Sequence, residues 1–495
     1  MKKSVLLALA VACPVAARAQ DAQTIDALKQ ELRELRQRTQ QLEEKLNRLE
    51  AAPPPAAAVS TNAVASAPAN ATVATTSNDV ANPASSPSFS PTAPVTVFRG
   101  GNSYMNLSLD GLFAVGGSTA NDDQIPFLQP GGHDPIQRGF TVQNVEATFD
   151  GAVDPFFRAQ ANVVFQLDHR SETTVELEEA WAETTSLPWN LTLRAGQLLT
   201  DFGRLNSTHP HTWNFVDTPL VNARLLGPDG LRNPGARLSW LTPTPFYSEL
   251  SLSAQNSAGG TANSFRTDHE VEPFLGRLNN VRGVRGPGDM LFAGRYQASW
   301  DLSPEQTLLA GVSGVTGPNA SGSDSHTQIY GVDLFWKWKP QSHNYGFPFV
   351  TWQTEAMLRH YRAGAFSEDL NGDGLLDAGD ADINGNGVID SVPRELLKDW
   401  GFYSQVAYGF YKGWVTALRF DYVDRLHPGV YELVYGNDPE RARRWRVSPN
   451  LTWYPSEFSK IRLQYNFDER AGVGPDHSVW LQFEFLLGSH GAHKF

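Results

Sequence analysis

Between residues 103 and 487 the chain keeps returning to one pattern, a stretch of about ten residues in which apolar and polar side chains alternate. Residues 157–168 show it plainly. Phe157, Ala159, Ala161, Val163, Phe165 and Leu167 fall on one side, and Arg158, Gln160, Asn162, Gln166 and Asp168 on the other. Successive side chains of an extended strand point to opposite faces, so a period of two marks a strand whose faces meet different surroundings. Residues 478–487 repeat it, with Val479, Leu481, Phe483 and Phe485 set against Trp480, Gln482 and Glu484. About 16 such segments follow one another, each long enough to cross a bilayer as a tilted strand.

The connections carry a second pattern. Residues 151–155, 186–190, 242–246, 302–305, 412–413 and 455–459 are short turns. Between them lie long polar stretches at 116–138, 200–235, 257–289, 363–399 and 426–443. A soluble sandwich has no reason to sort long and short connections to opposite ends. A transmembrane barrel does, with short turns in the periplasm and long loops outside. The fold expected is therefore all-β, a transmembrane antiparallel β-barrel of about 16 strands. Such a ring is too wide for its own side chains to fill, so water is expected inside it. Beyond the N-terminus no run of about 20 apolar residues occurs, which excludes a spanning helix.

Composition agrees once the pattern is known. Hydrophobic content is only 41%, because half of every strand is polar, and the 13 Trp suit the aromatic girdles at membrane interfaces. The net charge of −13 disfavours a nucleic-acid partner. Residues 1–19 read as a signal peptide: Lys2 and Lys3, an apolar run, then Ala17-Arg18-Ala19. The single cysteine, Cys13, lies within it. Residues 20–50 carry Ile25, Leu32, Thr39 and Leu46 at one heptad position and Leu28, Leu35, Leu42 and Leu49 at the other, the seam of a short coiled coil. Residues 51–97 are rich in Ala, Pro, Ser and Thr and read as a flexible linker, leaving 98–495 for the barrel.

Three groups of side chains are candidates for function. The third long connection is expected to fold inward as a constriction, with Asp201, Arg204, His209, His211, Asp217, Arg224 and Arg232 as its charged groups. Strand parity sends Arg158, Arg194, Arg295, Arg359, Arg419 and Arg462 to the bore, with Glu146, Asp168, Asp333, Glu355 and Asp421, mostly as solvated wall groups. Residues 369–380 have the D-x-N-x-D-G spacing of a calcium loop. Asp369, Asn371, Asp373, Asp377 and Asp380 would offer side-chain oxygens and Leu375 its carbonyl. A second loop, Asp382, Asn384, Asn386, Val388 and Asp390, has Pro393 where the final acid belongs, with Glu395 as a substitute. Calcium would be a structural cofactor that stiffens an external loop. His209-Pro210-His211 and His490 with His493 each fall short of a four-ligand zinc or copper set by sequence.

The signal peptide, the heptad arm and the barrel together resemble the phosphate-selective porin O/P family. Leu191-Thr192-Leu193-Arg194-Ala195-Gly196-Gln197, Asp201-Phe202-Gly203 and the ending Leu487-Gly488-Ser489-His490-Gly491-Ala492-His493-Lys494-Phe495 carry the resemblance. It implies a trimeric, 16-stranded channel. Phosphate does not carry over residue by residue, because no lysine-rich stretch or regular arginine ladder matches. The function expected is passive diffusion of small hydrophilic solutes, with anions such as phosphate in range, and no enzyme activity. The alternatives are a structural tether acting through the coiled coil, and a metal-uptake barrel. The setting expected is a Gram-negative-type outer membrane with the N-terminal arm in the periplasm. The partners expected are the lipid bilayer, lipopolysaccharide and two further copies of the chain, joined through the barrel wall and the coiled coil.

Overall fold

The computed structural model describes residues 95–488 apart from 102, 169–171, 268–272, 281 and 378. The signal peptide, the heptad arm, nearly all of the linker, His490, His493 and Phe495 lie outside the described residues.

Sixteen strands make the wall: β1 Ser103–Ser118, β2 Gly139–Ala152, β3 Phe157–Leu167, β4 Thr173–Thr184, β5 Leu191–Leu199, β6 Arg232–Leu241, β7 Tyr247–Asn256, β8 Met290–Ser303, β9 Gln306–Pro318, β10 His326–Trp338, β11 Phe349–Ala363, β12 Glu395–Tyr411, β13 Trp414–Arg425, β14 Arg444–Ser456, β15 Ser459–Arg470 and β16 Gly474–Leu487. Each pairs antiparallel with the next, and β16 pairs back onto β1 from Leu109↔Leu487 to Ser118↔Ser478. The sheet is closed. Closure matters because hydrocarbon offers no partner to an open backbone amide or carbonyl, each costing several kcal/mol. A short strand, Val95–Gly100, folds back on the start of β1 and takes in the last residues expected as linker.

The two faces of each strand separate as the period of two requires. Val312, Val332, Leu418, Leu463 and Val479 are about half exposed on the outer face. Their sequence neighbours Ser313, Asp333, Arg419, Arg462 and Ser478 are buried. Aromatic side chains ring the outside near both ends. Trp240, Tyr247, Trp300, Tyr408 and Trp453 lie towards the short turns. Trp400, Phe402, Tyr422, Phe420, Trp445 and Phe467 touch ring to ring towards the long loops. No helix among the described residues is long and apolar enough to cross a membrane.

The bore is not water throughout. Leu291, Ala293, Val315, Ile329, Met357, Tyr403 and Val423 point inward from β8 to β13 and bury against Phe202, Leu220, Val221, Leu225, Leu226, Leu231, Ala262 and Phe265 from two long connections. This apolar packing inside the ring departs from the simple wet bore expected. Its cause is visible in the strands, because the inward positions of these six turn apolar over their loop-side ends.

Candidate functional site

The connection between β5 and β6, residues 200–231, enters the bore and runs around its inner wall. At its start Gly203 holds φ +59°, and a Cβ there would meet the Glu355 Oε2 at 2.1 Å, so only glycine fits. The Gly203 N–H donates to Ser313 of β9 at 3.0 Å, and the Leu205 N–H to Glu355 of β11 at 2.8 Å. The loop then reaches the far wall, where His209 meets Glu178 and Glu179 of β4. The Val216 N–H donates to Gln464 of β15 at 2.9 Å, and the Leu220 N–H to Asp421 of β13 at 3.1 Å. A helix of about two turns follows, Leu220–Leu226, ended by Gly227 at φ +113°. All its residues except Arg224 are buried, which suits a helix that is apolar on nearly every side.

Asp217 is the node of this loop. Its carboxylate accepts from Arg419 at 2.6 Å, Arg446 at 2.9 Å, Gln464 at 2.9 Å and Asn466 at 2.7 Å. Arg446 and Arg444 both continue to Asp468 at 2.9 Å, and Arg419 to Asp421 at 2.7 Å. The result is an alternating series, Arg444–Asp468–Arg446–Asp217–Arg419–Asp421, almost wholly buried. Burial alone would raise the Asp217 carboxyl, but Arg419 and Arg446 hold it below its ordinary value. Arg419 and Asp421 were expected as solvated wall groups; they are instead desolvated and bound to the loop, because the loop lies on them.

The other charged wall groups are also paired. Arg295 makes a two-pronged bond to Asp333 at 2.6 and 3.0 Å. Arg359 binds Asp399 at 2.5 Å and Arg462 binds Gln482 at 2.8 Å. Arg194 and Arg158 share Glu183, with Arg194 Nε at 2.7 Å, and both stack on Trp181. Asp168 is a correction: it stands outside β3, where its carboxylate accepts the Glu172 N–H at 2.9 Å and closes the β3–β4 connection. Of the loop residues, Arg224 donates to the Ala442 carbonyl at 3.0 Å and Arg232 pairs with Glu176. Asp201 accepts from Ser251 at 2.7 Å.

What stays open is a set of vestibules. A cavity of about 670 Å³ lies towards the short turns, lined by Arg158, Arg194, Asp201, Arg204, Arg237 and Arg295 among others. A smaller one of about 170 Å³ shares Arg204 and Thr208 with it and reaches Asp217 and Arg419. On the loop side a cavity of about 310 Å³ is lined by Arg224, Arg359 and Arg444. Arg204 lies over the Phe335 ring at 3.9 Å, with the carboxylates of Glu355 and Asp333 near it.

A second polar cluster sits where the loop meets β1, β2 and β4. His209 and His211 stack there, 5.7 Å apart, against Asp110, Glu146, Glu178 and Glu179. Burial alone would lower the His209 imidazole, but the carboxylates of Glu146 and Glu178 hold it well above its ordinary value. Sequence parity could not have found both glutamates of β4. The β3–β4 register shifts after Asn162, so Asn162 faces Glu179 and Val163 faces Leu177. The extra residue turns Glu178 and Glu179 inward together, as a β-bulge does. Arg237, Asp399 and Arg446 also went unnoticed in the sequence, although plain alternation points them to the bore.

The Asp-rich connection between β11 and β12, residues 364–394, is built differently. Asp369 accepts the N–H groups of Gly372 at 2.6 Å and Gly374 at 3.1 Å. Asn371 accepts from Asp373, Asp373 from Leu375 and Asp377 from Gly379, each at 2.8 Å. Asp380 folds back on Leu370 at 2.8 Å, and the carboxylates of Asp369, Asp373 and Asp380 converge within 4.8 Å. The second loop repeats this, with Asp382 accepting from Asn386 and Gly387, Asn386 from Val388, and Asp390 from the side chains of Asn384 and Asn386. Glu395 does not complete it. That carboxylate is held by Arg277 at 2.9 Å and by the Val430 N–H at 2.6 Å. Glu368, unremarked in the sequence, joins the two loops by accepting from Ile383 and Asp390 at 2.8 Å.

No protein-family model matches the chain. A relative from Aquifex aeolicus (strain VF5), described only as an uncharacterized protein, is 28% identical over 422 residues, covering 79% of each chain. Among solved structures the chain is similar to the outer membrane channel DcaP of Acinetobacter baumannii, at 12% identity over 78% of this chain and 98% of that one, with a TM-score of 0.48. It is also similar to an anion-selective porin from Comamonas acidovorans, at 8% identity over 78% and 100% of the two chains, TM-score 0.43. Outer-membrane expressed OmpT of Vibrio cholerae is similar at 6% identity over 79% and 99%, TM-score 0.44. The architecture rests on the closed register described above.

Proposed function

We propose that the chain is a channel of a Gram-negative-type outer membrane through which small hydrophilic solutes diffuse passively, with anions favoured in the turn-side vestibule. The observation that carries this reading is a closed wall, apolar outside, whose turn-side vestibule is lined by Arg158, Arg194, Arg204, Arg237 and Arg295 against Glu146, Glu179, Asp201 and Glu249. A guanidinium facing water in a low-dielectric ring attracts anions and repels cations. The test is conductance in planar bilayers, with the reversal potential read across a potassium chloride gradient. The expected result is a current with anion preference that falls in Arg204→Gln and Arg237→Gln. The apolar packing inside the bore favours a second reading, a structural tether, and complete absence of current would select it.

Calcium belongs to the same proposal as a structural ion. Residues 369–380 and 382–390 place oxygen-bearing side chains at alternate positions on glycine turns, as calcium loops do. Its role would be to stiffen the β11–β12 connection.

A further inference from the structure

The cluster that joins the constriction loop to β2 and β4 has a geometry that hydrogen bonding does not explain. Glu146 is fully buried. Its Oε1 accepts from Thr148 at 2.9 Å and from Asn162. Its Oε2 has no hydrogen-bond partner. That oxygen stands 3.4 Å from His209 Nδ1 and 3.5 Å from His211 Nδ1. Glu178 Oε2 joins the same group at 2.8 Å from His209 Nδ1. A buried carboxylate oxygen left without a partner costs about 1–3 kcal/mol, more if charged. Here it is aimed between two imidazole nitrogens.

The spacing is that of ligands around an ion. Donors on a tetrahedron with bonds of about 2.0–2.1 Å stand about 3.3–3.4 Å from one another. The distances of 2.8 and 3.4 Å from His209 Nδ1 bracket this edge, and one ligand atom each of Glu146, Glu178 and His209 lies within 4.8 Å of the others, with His211 beside that group, 3.5 Å from Glu146. The remaining nitrogen of His209, Nε2, lies 3.2 Å from Glu179 Oε2. A carboxylate there takes the ring N–H and leaves the lone pair of Nδ1 facing the cluster, as outer carboxylates do for metal-bound histidines. Asp110 adds a third acid, 3.4 Å from His211 Nδ1. One imidazole nitrogen with two carboxylate oxygens and no sulfur suits a first-row divalent cation; calcium prefers oxygen alone.

We propose that Glu146, Glu178 and His209 bind one divalent cation of the zinc class, which clamps the constriction loop to β2 and β4. Glu179 is a positioning residue that orients His209. The site does not depend on what the bore conducts.

The test uses the full chain, purified in detergent and stripped of metal. Zn²⁺ is titrated by calorimetry, and Co²⁺ by its visible absorption. Crystals grown with Zn²⁺ are measured at the zinc absorption edge. The expected result is one equivalent bound, with an anomalous peak among Glu146, Glu178 and His209. His209→Gln and Glu146→Gln should lose that equivalent. Glu179→Gln should weaken it about 10- to 100-fold. Asp369→Asn should leave it unchanged. Gel mobility before and after heating shows whether each variant still forms the barrel. No stoichiometric binding to the unaltered chain, a peak only at residues 369–380 or at the His490–His493 pair, or unchanged affinity in a folded His209→Gln variant would each overturn the proposal.

Discussion

The connections 200–231 and 364–394 are both long and carry aspartates, yet they are held in opposite ways. In the first, Asp217 binds Arg419, Arg446, Gln464 and Asn466, all at least 200 positions away in the chain. In the second, Asp369, Asn371, Asp373 and Asp377 bind backbone N–H groups two to five positions away. The first is buried and depends on the finished barrel. The second is exposed and makes its own turns. A long connection therefore becomes a buried wall lining in one place and a self-folding surface loop in the other.

The comparison breaks most visibly at Asp217. Asp217→Ala leaves Arg419 and Arg446 buried against each other, and losing one partner of such a group costs about 3–5 kcal/mol. The loop should come away from the wall, with a rise in single-channel conductance and new protease cleavage within residues 200–231. Asp369→Ala should change neither. Calcium, as proposed, would act the other way. At a concentration one hundred times its dissociation constant it would stabilise its loop by about 2.7 kcal/mol. Its removal should expose residues 364–394 to protease while barrel mobility on gels and conductance stay the same. Unchanged cleavage after chelation would remove the calcium loop.

A smaller effect follows from pH in the zinc-free protein. The His209 pKa is raised in the folded loop above the ordinary 6.5, so its pairing with Glu146 and Glu178 is fully present below that value. It is lost as pH rises through the raised value. Current noise from loop motion should therefore grow from neutral to alkaline pH and respond little below 6.5. The smallest change is Gly374→Ala. A Cβ there meets nothing within 4 Å, so only the strain of φ +78° remains, about 1 kcal/mol. It should weaken calcium binding about fivefold and leave conductance alone.

Particular residues show how much was legible beforehand. The wall was, because Phe157 to Leu167, Val164 apart, and Val479 to Phe485 alternate, as a strand with hydrocarbon on one side must. The turns of residues 369–390 were, because each aspartate or asparagine bonds to its own neighbourhood. The cluster around His209 was not, because a bulge at Glu178 breaks the parity rule and no local signal marks it. Nor was the fate of Arg419 and Asp421, expected in water and found under the loop.

The amino-acid order alone settles the strand period, the sorting of connections and the short-range aspartate turns. These depend on contacts between neighbours or on the contrast between two solvents. Closure of the ring decides the rest. Only then do Glu146, Glu178 and His209 converge, and only then does Asp217 find its arginines. Those meetings join residues from different strands, and their geometry follows from register and bulges rather than from distance along the chain.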